Sequence, residues 1–80
     1  MNGLRVYMKP DVVDAGDLQR VFYSRRGSGP YYRWLYEEMR GEWRVSRVIS
    51  TDFAPNSLST ASWKAVPTAL QCRMSEHYLD

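Results

Sequence analysis

The sequence predicts a small α+β domain, in which an antiparallel sheet packs against one C-terminal helix. Three apolar and aromatic runs are separated by the glycine-containing segments 26–30 and 39–41, which is typical of a three-stranded meander. One face of a helix is indicated by an apolar residue at every fourth position: Val66, Leu70, Met74 and Tyr78. The 80 residues have room for a single domain, 1–80.

The N-terminal part of the chain predicts one more strand. Leu4–Met8 is a short run rich in apolar residues, and Lys9-Pro10 ends it because proline cannot donate a hydrogen bond to a neighbouring strand. The segment 11–17 is expected to form a turn or a short helical excursion around Gly16. We therefore expect a sheet made of the meander and this N-terminal strand.

The register of the meander predicts which residues share a face. We expect the first hairpin to close over 27–30, which pairs Phe22 with Leu35, and the second to turn at Arg40-Gly41. One face then forms the core: Val21, Tyr23, Tyr32, Trp34, Tyr36, Trp43, Val45 and Ile49. The opposite face carries a row of alternating charge: Arg20, Glu37 and Arg44. Arg47 falls opposite Trp34 and is expected to stack on its ring.

A helix over 31–40 competes with the middle strand. Ser28 could cap such a helix, Pro30 suits its first turn, and Gly41 would end it. The strand is favoured because Glu37 and Glu38 would otherwise lie in the last helical turn, where the helix dipole disfavours anions. The sequence leaves both structures open for 31–40.

The C-terminal helix is predicted to begin near Pro67, which suits a first-turn position. Good helix formers follow it: Ala69, Leu70, Gln71, Arg73, Met74 and Glu76. The apolar stripe is expected to pack on the aromatic face of the sheet, with Trp63 closing the core. How 51–66 connects the sheet to the helix is left open.

Cysteine usage and hydropathy exclude several classes of protein. Cys72 is alone and cannot form an internal disulfide, and with His77 it supplies two of the roughly four ligands of a structural zinc site. No apolar run approaches about 18 residues, and the N-terminus lacks the pattern of a signal peptide. We expect a soluble cytoplasmic protein with no metal, no cofactor and no membrane partner.

The spacing of the candidate catalytic residues along the predicted helix also argues against catalysis. On a helix Cys72 and His77 lie about 140° apart, so they could not act as a nucleophile and its base. Ser75 and His77 are no better placed. We therefore expect a protein that is not an enzyme and has no catalytic residues.

The middle third of the chain is the predicted binding segment, because residues 20–47 hold seven arginines against three glutamates and most of the aromatic residues. A protein partner, or a second copy of this chain, is the first hypothesis. Its predicted apolar centre is Phe22, Leu35 and Val48, and its polar rim is Arg20, Arg33 and Arg44. Alternatively, the N-terminal strand or the segment 11–17 folds over this patch within the monomer.

Single-stranded nucleic acid, RNA in particular, is the second hypothesis. Phe22 would stack on a base, and four arginines would hold the phosphates: Arg25, Arg26, Arg33 and Arg44. The loop residues Arg25, Arg26, Gly27 and Gly29 could also form a nest for an anion, or be a flexible hairpin tip. A protein partner requires an exposed apolar patch, whereas a nucleic acid requires an uninterrupted positive surface.

Overall fold

The computed structural model describes residues 3–9 and 19–79, and it confirms the predicted α+β class. Its strands are β1 (Leu4–Met8), β2 (Gln19–Arg26), β3 (Tyr31–Met39), β4 (Glu42–Thr51) and β5 (Ser59–Ala61). A 3-10 turn, Trp63–Ala65, precedes the helix α1 (Thr68–His77). The five strands form one antiparallel sheet in the order β4-β3-β2-β1-β5. Residues 31–39 are thus a strand, and the segment 11–17 lies outside the described residues.

The core lies between one face of the sheet and α1. Leu70 and Met74, on the predicted stripe of the helix, are fully buried, and so is Trp34 of β3. The core cluster contains four more residues: Val6, Phe22, Tyr36 and Val66. Trp63 packs against this cluster, as predicted, and Gln71 Nε2 donates to the Trp63 carbonyl oxygen (2.8 Å), which fixes the 3-10 turn on the helix. We call this side of the sheet the helix face.

A polar network inside the core joins the C-terminal end of α1 to the sheet. Trp34 Nε1 donates to Ser24 Oγ (2.8 Å), and the same oxygen is 2.7 Å from the hydroxyl of Tyr78. Arg26 donates to the backbone carbonyl of Tyr78 (2.7 Å). Because Ser24 and Trp34 are fully buried, the bond between them satisfies two polar atoms that water does not reach. Burial also raises the pKa of Tyr78, which keeps its hydroxyl neutral.

The hairpin between β2 and β3 has a register one residue away from the prediction. Phe22 pairs with Trp34, not with Leu35, because the hairpin is centred on Ser28. A turn at Arg26, with Gly29 N donating to the Arg26 carbonyl (3.2 Å), sets this centre. A shift of one residue moves every side chain of a strand to the other face. Phe22 is therefore 2% exposed on the helix face, and its neighbour Val21 lies on the opposite face, which corrects the predicted faces of β2.

A bulge in β4 makes the second correction. The predicted pairs from Met39 with Glu42 to Tyr36 with Val45 are confirmed, but the register then shifts between Leu35 and Tyr36. Trp34 consequently faces Val48, and Arg47 faces Leu35 instead of stacking on Trp34. An extra residue in one strand of a pair has this effect on all later side chains. Val48 therefore packs on the core while Ile49, predicted inside, lies on the opposite face.

Candidate functional site

The candidate site is the sheet face opposite α1, which we call the outer face. Strand alternation and the observed register assign its residues. They are Arg5, Tyr7, Gln19, Val21, Tyr23, Arg25, Tyr31, Arg33, Leu35, Glu37, Met39, Glu42, Arg44, Arg47, Ile49 and Thr51. Thr60 of β5 joins them opposite Tyr7. Val21 and Tyr23, at 4% and 7% exposed, are buried in the middle of this face, and the accessible groups surround them.

Arginines and tyrosines alternate over β1, β2 and the start of β3. We call this group the arginine–tyrosine surface: Arg5, Tyr7, Tyr23, Arg25, Tyr31 and Arg33. Arg5 lies directly opposite Arg25, and Tyr23 lies between Tyr7 and Arg33. None of the six has a carboxylate as its cross-strand partner. Two guanidinium groups in opposed positions repel each other, so this arrangement favours an anion between or above them.

The two accessible rings of this surface are Tyr7 and Tyr31, whose centroids are 6.2 Å apart at an angle of 49°. The guanidinium of Arg25 lies 4.8 Å from the ring centroid of Tyr31. Arg25 also donates to the Gly29 carbonyl (2.7 Å) and to the Tyr31 hydroxyl (3.3 Å). These contacts fix the orientation of both side chains before any ligand arrives, which lowers the entropy that binding must remove.

The guanidinium groups of three outer-face arginines make neither an ion pair nor a hydrogen bond within residues 3–9 and 19–79: Arg5, Arg33 and Arg47. The ion pair found in that part of the chain joins Arg44 to Glu42 at 3.3 Å, and both side chains are more than half exposed. Such a pair contributes little to stability. The three unpaired guanidinium groups therefore keep their donors for a ligand.

The β3–β4 side of the outer face has a different composition. Ile49 is 41% exposed, and Leu35, two residues beyond its partner Arg33 along β3, is half-buried. Glu37 lies beside this apolar pair, between Gln19 and Arg44, so the predicted charge row contains Gln19 in place of Arg20. Hydrogen bonds from Gln19 (2.8 Å) and Ser46 lower the pKa of Glu37. A stable negative charge therefore interrupts the positive surface on this side.

The predicted partner patch is split between the two faces. Leu35, Arg33 and Arg44 lie together on the outer face. Phe22 and Val48 pack on the core of the helix face, and Arg20 lies over the Trp43 ring there, 5.6 Å from its centroid. The apolar centre expected from Phe22, Leu35 and Val48 is therefore not formed. Val21 and Ile49, the neighbours of the two missing residues, occupy the corresponding outer positions.

The predicted anion loop is also divided. Arg25 turns onto Tyr31 on the outer face, whereas Arg26 reaches Tyr78 on the helix face. The backbone amide of Gly27 donates to the carbonyl of Gly3 (3.3 Å), and that of Gly29 is used in the turn. The structure therefore does not bring two guanidinium groups and free amides together at this loop.

The sequence prediction missed Arg5, Tyr7 and Tyr31 as members of a site. No local sequence pattern identifies Arg5 and Tyr7, because the pairing of β1 with β2 joins separate segments of the chain. The predicted register does not place Tyr31 on either face of the sheet. Of the residues considered for chemistry, Cys72 is exposed, and His77 packs edge-on against Tyr32 (4.3 Å between centroids). Within the described ranges, no three metal-ligating side chains cluster, and no helix is long and apolar enough to cross a membrane.

The chain was also compared with known proteins. No protein family model, no curated protein and no solved structure matches it. The geometry of the outer face is therefore the basis on which its function is proposed.

Proposed function

We propose that this protein binds single-stranded nucleic acid through the arginine–tyrosine surface. The observation that carries the proposal is the set of three arginines and three tyrosines on one side of a sheet, without a carboxylate as a cross-strand partner. Two of these arginines, Arg5 and Arg33, have neither an ion pair nor a side-chain hydrogen bond within the described residues. A nucleic acid requires a positive surface without acidic groups, and the arginine–tyrosine surface contains no acidic residue.

The chemistry of each residue type supports this ligand. Guanidinium groups bind phosphate oxygens through two parallel hydrogen bonds. Tyrosine rings stack on unpaired bases, and each such contact is worth about 1–3 kcal/mol. Tyr7 and Tyr31 lie within a sheet surface, where splayed bases of a single strand can reach them but the stacked bases of a duplex cannot. Tyr23 is buried and supports the two rings instead of stacking on a base itself.

A titration with a mixed-sequence single-stranded oligonucleotide tests the proposal. The logarithm of the affinity should fall linearly with the logarithm of the salt concentration. Arg33→Gln should weaken binding for every sequence and reduce the salt slope by about one. Arg73→Gln is the matched control, because Arg73 is an exposed arginine of α1 without an ion pair in the described part. Absent or salt-insensitive binding, or equal effects of both variants, contradicts the proposal.

A protein partner is the second candidate, supported by the exposed Ile49 beside Leu35. Arg33, Arg44 and Arg47 surround this pair, in the manner of an apolar centre with a polar rim. The helix covers Phe22 and Val48, so the apolar centre is smaller than the sequence predicted. Ile49→Asp should abolish self-association measured by sedimentation while oligonucleotide binding is retained. Unchanged association in this variant removes the second candidate.

A further inference from the structure

A cavity of about 350 Å³ lies at the edge of β1, next to the arginine–tyrosine surface. Residues 4–7 of β1 line it together with Thr60 and Ala61 of β5 and Trp63 of the 3-10 turn. Its volume falls in the range of about 300–1,000 Å³ that is typical of pockets for small molecules. The cavity therefore has the size for one nucleotide.

The sheet edge at this cavity is open because β5 is short. β5 pairs with Val6, Tyr7 and Met8, and in the described part of the chain no strand continues beside Leu4 and Arg5 on that side. An open strand edge presents backbone N–H and C=O groups to a ligand. In-plane donors and acceptors of a nucleobase are the complementary groups, since unpaired bases are recognised through hydrogen bonds to their edges.

The remaining lining residues add the other contacts that a nucleotide needs. Trp63 supplies an aromatic wall, and Gln71 holds its backbone in place from α1. Thr60 supplies an exposed hydroxyl, and Arg5 is an exposed cation without an ion pair in the described residues. A heterocycle bound at the strand edge would leave its phosphate near Arg5, where a charge-assisted hydrogen bond can form.

We infer that this cavity is a nucleotide subsite, in which one base of the bound strand leaves the sheet surface and binds between Trp63 and the open edge of β1. Arg5 holds the phosphate of that nucleotide, and Thr60 contacts its base or sugar. This inference rests on the proposed function, because the subsite takes the nucleotide at the β1 end of the strand that crosses the arginine–tyrosine surface.

Titration with adenosine monophosphate and uridine monophosphate, followed by amide NMR of the labelled protein, tests the subsite. We expect saturable shifts at Leu4, Arg5, Thr60 and Trp63. Arg5→Gln should weaken mononucleotide binding by about tenfold, and Thr60→Val should weaken it by about threefold. Arg73→Gln is the control for Arg5→Gln, because Arg73 is an exposed arginine of α1 without an ion pair in the described part, and it does not line the cavity.

Inorganic phosphate and the oligonucleotide provide the two other arms of the test. Inorganic phosphate binding as tightly as the mononucleotides would show a simple anion contact at Arg5, and this result overturns the subsite. Oligonucleotide binding without any mononucleotide shifts in the cavity also overturns it, while the proposed function stands. Mononucleotide binding in the cavity without oligonucleotide binding retains the subsite and contradicts the proposed function.

Discussion

The two faces of the sheet use the same residue types in opposite ways. On the helix face, Trp34 is fully buried, its Nε1 donates to Ser24, and Tyr78 completes the network. On the outer face, Tyr7 and Tyr31 are half-buried beside arginines that lack ion pairs in the described part. The buried Trp34 ring on the first face stabilises the fold, whereas the Tyr7 and Tyr31 rings on the second face remain partly accessible to solvent. The difference lies in burial and not in polar partners, because Tyr31 on the outer face also accepts a hydrogen bond from Arg25.

The largest expected effect lies at the centre of the helix face. Trp34→Ala should lower the free energy of unfolding by about 3–5 kcal/mol, because it leaves a cavity and removes the donor to Ser24. Urea denaturation followed by circular dichroism measures this change, and complete loss of the cooperative transition is an equivalent result. Ile49→Ala on the outer face should change stability by less than about 1 kcal/mol. Equal losses in both variants would remove the distinction between the faces.

The buried hydroxyl should show a smaller loss. Ser24→Ala leaves the Trp34 N–H and the Tyr78 hydroxyl without their shared partner, which costs about 1–3 kcal/mol in unfolding free energy. Ser46→Ala is the control, because the exposed Ser46 donates one long bond (3.4 Å) to the Leu35 carbonyl. A destabilisation by Ser46→Ala as large as that of Ser24→Ala would show that burial of the network is not the cause.

A variant of the outer face tests whether its accessible rings contribute to binding. Tyr7→Ala should weaken oligonucleotide binding by about 1–2 kcal/mol through the loss of one stacking ring. Fluorescence anisotropy of a labelled oligonucleotide measures it, and Tyr7→Phe should keep most of the affinity because the ring is retained. If Tyr7→Ala binds as tightly as the native chain, the outer rings are not stacking platforms.

The smallest expected effect is a dependence of stability on alkaline pH. The pKa of Tyr78 is raised in the folded protein, mainly by burial, so the unfolded chain ionises first as the pH rises. The stabilising contribution of the neutral hydroxyl is fully present below about pH 10 and is lost as the pH rises through the folded pKa. Urea midpoints between about pH 8 and about pH 11 should fall less steeply in Tyr78→Phe. A slope identical to the native one would contradict the assignment.

The sequence was sufficient for the parts of the fold that depend on local patterns. The apolar residues at every fourth position from Val66 to Tyr78 pack on the core, and the pairing around Arg40-Gly41 is confirmed. It failed wherever the position of a single residue decides a face. The register of the first hairpin differs by one residue from the predicted register, and this difference places Phe22 on the helix face and Val21 on the outer face. The bulge exchanges Val48 with Ile49 in the same way.

The candidate site was predicted less well for the same reason. Arg33 and Arg44 were assigned to the outer face and lie there, but Phe22 lies under α1. Arg5 and Tyr7 could not be included, because their position depends on the pairing of β1 with β2, in which even the nearest paired residues, Met8 and Phe22, are 14 positions apart along the chain. Only a long-range contact of this kind brings Arg5 opposite Arg25.

Composition and periodicity were sufficient for the α+β class, with a C-terminal helix packed on an antiparallel sheet, because amphipathic repeats are local patterns. The tertiary structure decided which face each ring occupies. A turn and a bulge can each absorb one residue at small local cost, so the packing of Phe22 and Val48 against α1 selects between the registers. That selection leaves Arg5, Arg25 and Arg33 together with Tyr7 and Tyr31 on the face opposite α1.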